Sequence, residues 1–210
     1  MFNLAVEKEI RVRTFHPDDA EVLFNLLEKN RSHLRAWIDP SALPGTAEAA
    51  RIFTIECFFN SFADRMDTLD SPYLQEANGY FPTPHPPMEL GIWVRDKLVG
   101  ALTLSRLKDS YPAAEFGYWI AMEQAGKGII TRSVSALMDY AIDNMEIQRF
   151  IIGCARGNQR SRAVAERLGY DIYATIPDGE IVGELIYDRV IYGIQSTAWR
   201  ERRKILSGHV

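Results

Sequence analysis

Two short segments hold residue types whose spacing could do chemistry. In the first, Phe116-Gly117-Tyr118-Trp119-Ile120-Ala121 reads as a strand, a turn follows with Gly126 and Gly128, and Ile129-Ile130-Thr131 opens a helix. The first amides of a helix have no partner inside it and sit at the positive end of its dipole. Glycines at 126 and 128 let a bulky anion reach that backbone, so the segment suits a phosphate or pyrophosphate. On spacing alone, an ordinary strand-to-helix turn accounts for the glycines equally well. The patterns G-x-x-x-x-G-K-S/T and G-x-G-x-x-G are both absent, and the turn falls late in the chain, which argues against the common nucleotide sites. In the second segment, Gly157-Asn158-Gln159-Arg160-Ser161 opens a short helix one strand later. Asn158 there is either a helix cap or a ligand contact.

These segments need elements to position them. Ile10 to Thr14 alternates as a strand, and a helix is expected to start at Pro17-Asp18-Asp19, with an apolar stripe of Leu23, Leu26, Leu27, Leu34 and Trp37. After a turn from Asp39-Pro40 to Pro44-Gly45, Thr46 can cap a second helix, whose buried stripe is predicted as Ile52, Ile55, Phe59 and Phe62. Residues 71–88 carry five prolines together with Tyr73, Tyr80, Phe81 and His85, and are predicted to form a long loop. Glu89–Val94 and Leu98–Ser105 make a hairpin across Arg95-Asp96-Lys97, and Ala114–Ile120 is a third strand. Apolar residues 130, 134, 137, 138, 141 and 145 give one face to a helix over 129–144, and 149–155 is a strand. Gln159–Leu168 is a short helix ended by Gly169. Strands near 169–176 and 183–194 follow, with a closing turn over 178–183. The two strands flanking the long helix should be parallel neighbours, since a strand–helix–strand crossover favours that. The sum is an α/β domain with a mixed, mainly antiparallel central sheet and helices on both faces.

The 210 residues suit one domain: a core over 9–194, a proline-rich insertion at 71–88 and a tail at 195–210. A formal net charge of −4 argues against a general nucleic-acid binder. Cys57 and Cys154 lie in apolar text with no C-x-x-C, which reads as two buried free thiols, with no metal site expected. No apolar run approaches the roughly 18 residues of a membrane span. The first residues lack a basic and then apolar leader, so the cytoplasm is the expected compartment, for a monomer or homodimer.

Taken together, Gly117-Tyr118-Trp119-Ile120, Gly126-Lys127-Gly128-Ile129-Ile130-Thr131, Asp139-Tyr140-Ala141, Arg149, Asn158-x-x-Ser161 and Ala165-Glu166-Arg167-Leu168-Gly169-Tyr170 resemble, in order and spacing, the GNAT superfamily. Within it they resemble the RimJ/RimL-like branch of protein N-terminal acetyltransferases. The likeness covers roughly 9–194, strongest over 114–170 and weak over 60–90. It implies the GNAT fold and transfer of acetyl from acetyl-CoA to a primary amine. A protein N-terminal α-amine is the first expectation. A small amine such as a polyamine or antibiotic is an alternative, as is a non-catalytic CoA-binding module.

The resemblance also implies roles. Amides around Gly126, Lys127, Gly128, Ile129, Ile130 and Thr131 would grip the pyrophosphate. Two departures stand here: the usual Gln or Arg has become Ala125, with Gln124 one place early, and the usual small residue has become Ile130. Trp119, Ile120 and Ala121 would splay from the next strand and pair with the pantetheine arm, one N–H stabilising the oxyanion. Asn158 would touch the same arm. Glu115 is expected as general base, through a water, with Glu123 as the competing candidate. Ser161 is expected as general acid, because the tyrosine many members use is replaced by Ala165. Trp37, Asp39, Tyr80, Phe81 and His85 would wall the acceptor site, and acidic Asp39, Glu180 and Glu184 would favour a cationic amine.

Overall fold

The computed structural model describes residues 1–61, 86–108 and 111–206. Tyr73, Tyr80, Phe81, His85 and Phe62 lie outside the described residues.

The described strands form one eight-stranded sheet in the order β1-β2-β3-β4-β5-β6-β8-β7. Strand β1 (Asn3–Ala5), for which the sequence offered no signal, pairs with β2 (Ile10–Thr14), whose alternation buries Ile10, Val12 and Thr14. β3 (Met88–Val94) and β4 (Lys97–Lys108) form a hairpin closed by Arg95 and Asp96. Both have positive φ (48° and 62°), the two-residue turn whose twist matches that of the strands. β5 (Tyr111–Ile120) runs antiparallel to β4 and parallel to β6 (Arg149–Ala155), as the crossover through α3 (Ile129–Met145) requires.

Helices cover both faces. On one, α1 (Ala20–Leu34) and α2 (Ala47–Asn60) bring Leu23, Leu27, Leu34 and Cys57 against Phe15, Trp93, Leu98 and Ala101. On the other, α3, α4 (Gln159–Leu168) and α5 (Ser196–Leu206) supply Val134, Leu137, Met138, Val164, Leu168 and Trp199 to the larger core. The segment read as a tail therefore carries a helix whose Trp199 is 1% exposed and donates to Asp139 at 2.7 Å.

Two expectations need correction. Thr46 does cap α2, accepting from Ala49 N at 3.1 Å, but Ala50, Thr54 and Cys57 face the sheet, while Ile52 and Phe59 are 48% and 63% exposed. α2 is apolar around most of its circumference, so spacing could not select the face, and its smaller residues allow the closer approach. The last two strands are also longer than read. β7 (Asp171–Val182) continues through Asp178 (φ 52°) and reverses at Gly183 (φ 60°) into β8 (Leu185–Gln195). Its register with β8 shifts between Ile176 and Glu180, a bulge of the kind that re-aims side chains.

Candidate functional site

The parallel pairing of β5 and β6 ends early. It joins Ala113–Glu115 to Arg149–Ile151 and stops, so residues 116–120 of β5 have lost that neighbour. β5 is anchored instead on its other side, down to Ala121 N, which donates to Val99 O at 2.8 Å. Into the resulting split opens a cavity of about 660 Å³. Tyr118, Trp119 and Ile120 line it from β5, and Gly153, Cys154 and Ala155 from β6. Gly126 and Gly128–Thr131 close one end, Asn158–Ser161 a side, and residues of α1, α2, β3 and β4 the other end.

The turn before α3 has the geometry expected of an anion cradle. Gly126 and Gly128 take φ of 77° and 70°, where side-chain-bearing residues are strained. Gly128 is the N-cap and offers no side-chain oxygen to the first helical amides. Among the described residues, no main-chain carbonyl outside α3 takes the amides of residues 126–128. The turn is held from behind: Asn30 of α1 accepts from Met122 N at 2.8 Å, and Arg132 donates to Lys127 O at 3.0 Å. Arg160 and Arg167 of α4 add positive charge to the cavity wall. Neither arginine was singled out from sequence. Only the fold brings α4 alongside the turn.

Asn158 Oδ1 accepts from Ser161 N at 3.1 Å, so it caps α4 while also lining the cavity. Ser161 Oγ lies 3.0 Å from the hydroxyl of Tyr118, which also donates to Ser161 O at 3.2 Å. Burial pushes the Tyr118 phenol well above its ordinary pKa, keeping it a neutral donor. Cys154 is close by, its thiol likewise pushed up by burial. Tyr118 was not read as part of the chemistry, although it sits in the glycine-bearing strand text.

The carboxylates divide sharply. Glu115 does not line the cavity; its Oε1 is 2.6 Å from Arg189 Nη2. Arg189 Nη1 also faces Glu180 Oε2 at 3.3 Å, and a Cβ at Gly153 would strike the same guanidinium. Glu180, turned inward beyond the β7 bulge, is the member of this trio that lines the cavity. Glu123 sits on a short turn at the rim, 2.6 Å from Lys29, which holds its carboxyl below the usual range. Asp39 is outside the lining: it caps the Pro40–Ala42 turn through Ser41 N at 2.8 Å and accepts from Gly183 N at 3.1 Å. It thereby ties the loop after α1 to the β7–β8 hairpin. Trp37 does wall the cavity, its ring against Gly157 and 5.9 Å from Tyr187.

A further carboxylate was missed. Glu89 of β3 lines the cavity and accepts from Thr103 Oγ1 at 2.8 Å. Crowding by protein atoms raises its pKa to about 7, although it keeps some surface open to the cavity. No local pattern marks it. A single Glu between Met88 and Leu90 is visible only as one step of a strand alternation.

The cavity suits coenzyme A: free amides and arginines for phosphates at one end, an unpaired strand edge for an extended amide-bearing arm, and a hydroxyl pair at the split. A family model described as "Acetyltransferase (GNAT) domain" matches residues 9–171. A Bacillus subtilis (strain 168) protein named "Putative ribosomal N-acetyltransferase YdaF" is 33% identical over 199 residues, 95% of this chain and 98% of that one. The ribosomal-protein-serine acetyltransferase of Escherichia coli (strain K12) is 30% identical over 101 residues, 48% of this chain and 56% of that one. Among solved structures, a ribosomal L7/L12 alpha-N-protein acetyltransferase in complex with coenzyme A superposes with a TM-score of 0.75 at 22% identity, covering 92% of this chain and 98% of that one.

Proposed function

The chain belongs to the GNAT acetyltransferase family, and on that premise we propose that it acetylates the α-amine at a protein N-terminus, with acetyl-CoA as donor. The observation that carries this reading is the single cavity at the split. Its lining joins the turn before α3 and the β5–β6 split to residues of α1, α2, β3 and β4, so one continuous space has room for a donor beside the turn and an acceptor at the split.

Bound acetyl-CoA supplies an activated acetyl thioester. The protein's own share is positioning and proton transfer. Amides of residues 126–131, with Arg160 and Arg167, hold the diphosphate end. The unpaired edge of β5 at Tyr118–Ile120 aligns the arm and leaves an N–H for the carbonyl oxygen. An α-amine has a pKa of about 7.7–8.0 and must lose a proton before it attacks. We assign that proton to Glu180, the carboxylate of the Glu115–Arg189–Glu180 trio that faces the cavity, and we give Glu115 the task of holding Arg189 in place. Ser161 Oγ gives a proton to the departing sulfur and regains one from solvent, while Tyr118, kept neutral by burial, orients the serine hydroxyl across their 3.0 Å contact. Glu123, paired with Lys29 at the rim, takes no part.

Thiol release from acetyl-CoA, measured over a panel of short peptides, polyamines and amine-bearing antibiotics, tests this. Turnover concentrated on peptides with a free N-terminus is expected. Turnover confined to polyamines or antibiotics would replace the acceptor, and acetyl-CoA binding without turnover on any amine would leave a CoA-binding module.

A further inference from the structure

Glu180 sits on a part of the fold that the sheet itself supports weakly. Among the described strands β7 is an edge, with β8 as its neighbour. β6 pairs β8 from Gln195 back to Arg189, and Arg156 N adds a bond to Asp188 O at 2.8 Å. Beyond that point β7 and β8 run on as a ribbon of three pairs, Glu180–Tyr187, Ile181–Ile186 and Val182–Leu185, set off from the rest of β7 by the bulge. A two-stranded ribbon on its own is marginally stable in water. Ile181, Leu185 and Ile186 are 64%, 59% and 60% exposed, so their packing adds little to hold it. The place of Glu180 over the cavity therefore depends on contacts from outside the sheet.

The loop after α1 supplies such contacts. Asp39 Oδ2 accepts from Gly183 N at 3.1 Å, at the turn of the ribbon. Its other oxygen accepts from Ser41 N at 2.8 Å and from Ser41 Oγ at 2.6 Å. These donors, Ser41 Oγ first, hold the Asp39 carboxyl below the usual range, so an anion makes the bond to Gly183. In the same loop, the Trp37 ring lies 5.9 Å from that of Tyr187 in the ribbon. Another edge of Trp37 meets Gly157, where a Cβ would come 3.3 Å from Cη2. Gly157 directly precedes Asn158, the cap of the helix that carries Ser161. Residues 37–39 thus touch both the ribbon that bears the base and the turn that opens the helix bearing the acid.

We propose that Asp39 is a positioning residue for the acetyl transfer: through Gly183 it holds the β7–β8 ribbon, and with it Glu180, over the split. This rests on the assignment of Glu180 as the base, and not on the class of amine. The Asp39 charge is directed at Gly183 N and Ser41, so it serves the site without facing the acceptor. Without the bond to Gly183 the ribbon is free to turn about the bulge. A displacement of about 1 Å at a reacting group is enough to cost about 10²-fold in rate.

Two variants separate the bond to Gly183 from the integrity of the loop. Asp39→Ser keeps one oxygen to cap Ser41 N and has none left for Gly183 N. Ser41→Ala removes the hydroxyl contact and leaves the Gly183 bond in place. Amide hydrogen exchange over residues 180–187 is measured by mass spectrometry. kcat and KM are measured by thiol release with a short peptide bearing a free N-terminus and with a polyamine, and acetyl-CoA affinity by calorimetry. Asp39→Ser is expected to speed exchange in the ribbon and to lower kcat by about tenfold or more, with donor affinity within about twofold of wild type. Ser41→Ala should stay near wild type in both readouts. In a Glu180→Gln background, Asp39→Ser should cost less than about twofold further in kcat. Unchanged exchange and kcat in Asp39→Ser overturn the proposal. So does an undiminished loss on top of Glu180→Gln, or an equal loss in Ser41→Ala. Wild-type turnover in Glu180→Gln would mark failure of the base assignment itself. The exchange pattern then decides alone whether Asp39 holds the ribbon, as it also does if neither amine is acetylated.

Discussion

Replacing Glu89 by Gln should change how stability responds to pH. In the folded protein this carboxyl titrates at about 7, against 4.5 ordinarily, because crowding by protein atoms disfavours the charged form. The sign follows from proton uptake. Between these two values the folded chain keeps a proton that the unfolded chain releases. The contribution of Glu89 to stability is therefore fully present below about pH 4.5 and is lost as pH rises through about 7. The full difference corresponds to about 3 kcal/mol, and water entering the cavity should screen this to about 1–3 kcal/mol. Glutamine has the same shape, can still accept from Thr103, and does not titrate. Denaturant unfolding of wild type and Glu89→Gln at intervals from pH 5 to pH 8 gives the difference in stability at each pH. The variant should gain on wild type by about 1–3 kcal/mol across that window, most steeply between about pH 5 and 6.5 and levelling off above pH 7. A difference that stays constant with pH would mean that Glu89 titrates in the folded protein as it does in the unfolded chain, and the crowded site would be misdescribed.

Other expectations are narrower. Ser161→Ala should lower kcat by about 10²–10⁴-fold while donor affinity stays near wild type; unchanged turnover would move the acid elsewhere. Tyr118→Phe removes the hydroxyl 3.0 Å from Ser161 Oγ and should lower kcat, with little further loss when combined with Ser161→Ala; additive losses would separate the two residues. Glu180→Gln should cost about 10²-fold or more in kcat/KM. Glu115→Gln should cost less, and the reverse order would return the base to Glu115.

Much of this arrangement was legible in the sequence, for identifiable reasons. Gly126 and Gly128 announce a turn because only their backbones accept φ near +70° cheaply, and α3 follows with a one-sided apolar face. The bounds of β6 and α4 agree with those read from pattern, since alternation, Asn158 and Gly169 all point the same way. Failures came where local rules are silent or ambiguous. α2 carries Phe and Ile on nearly every side, so its buried face is chosen by the sheet it meets. Asp178-Gly179 looks like a hairpin turn but makes a bulge, and that bulge turns Glu180 inward. Glu89 has no neighbour in sequence to identify it; its partner Thr103 is 14 residues away and its chamber is built by α1 and α2. Arg160, Arg167 and Tyr118 belong to the site for the same reason, by juxtaposition of elements.

The measurement closest to the centre of this account is calorimetric titration of acetyl-CoA into the wild type and into Gly128→Val. At φ 70° a branched residue is strained, and its Cβ would meet Arg132 Nη1 at 2.7 Å, disturbing the guanidinium that holds Lys127 O. Saturable one-to-one binding to the wild type is expected, with affinity reduced at least tenfold in a variant whose thermal unfolding still shows a folded protein. No heat of binding to the wild type, or equal affinity in the folded variant, would contradict the assignment of the turn before α3 as the diphosphate cradle.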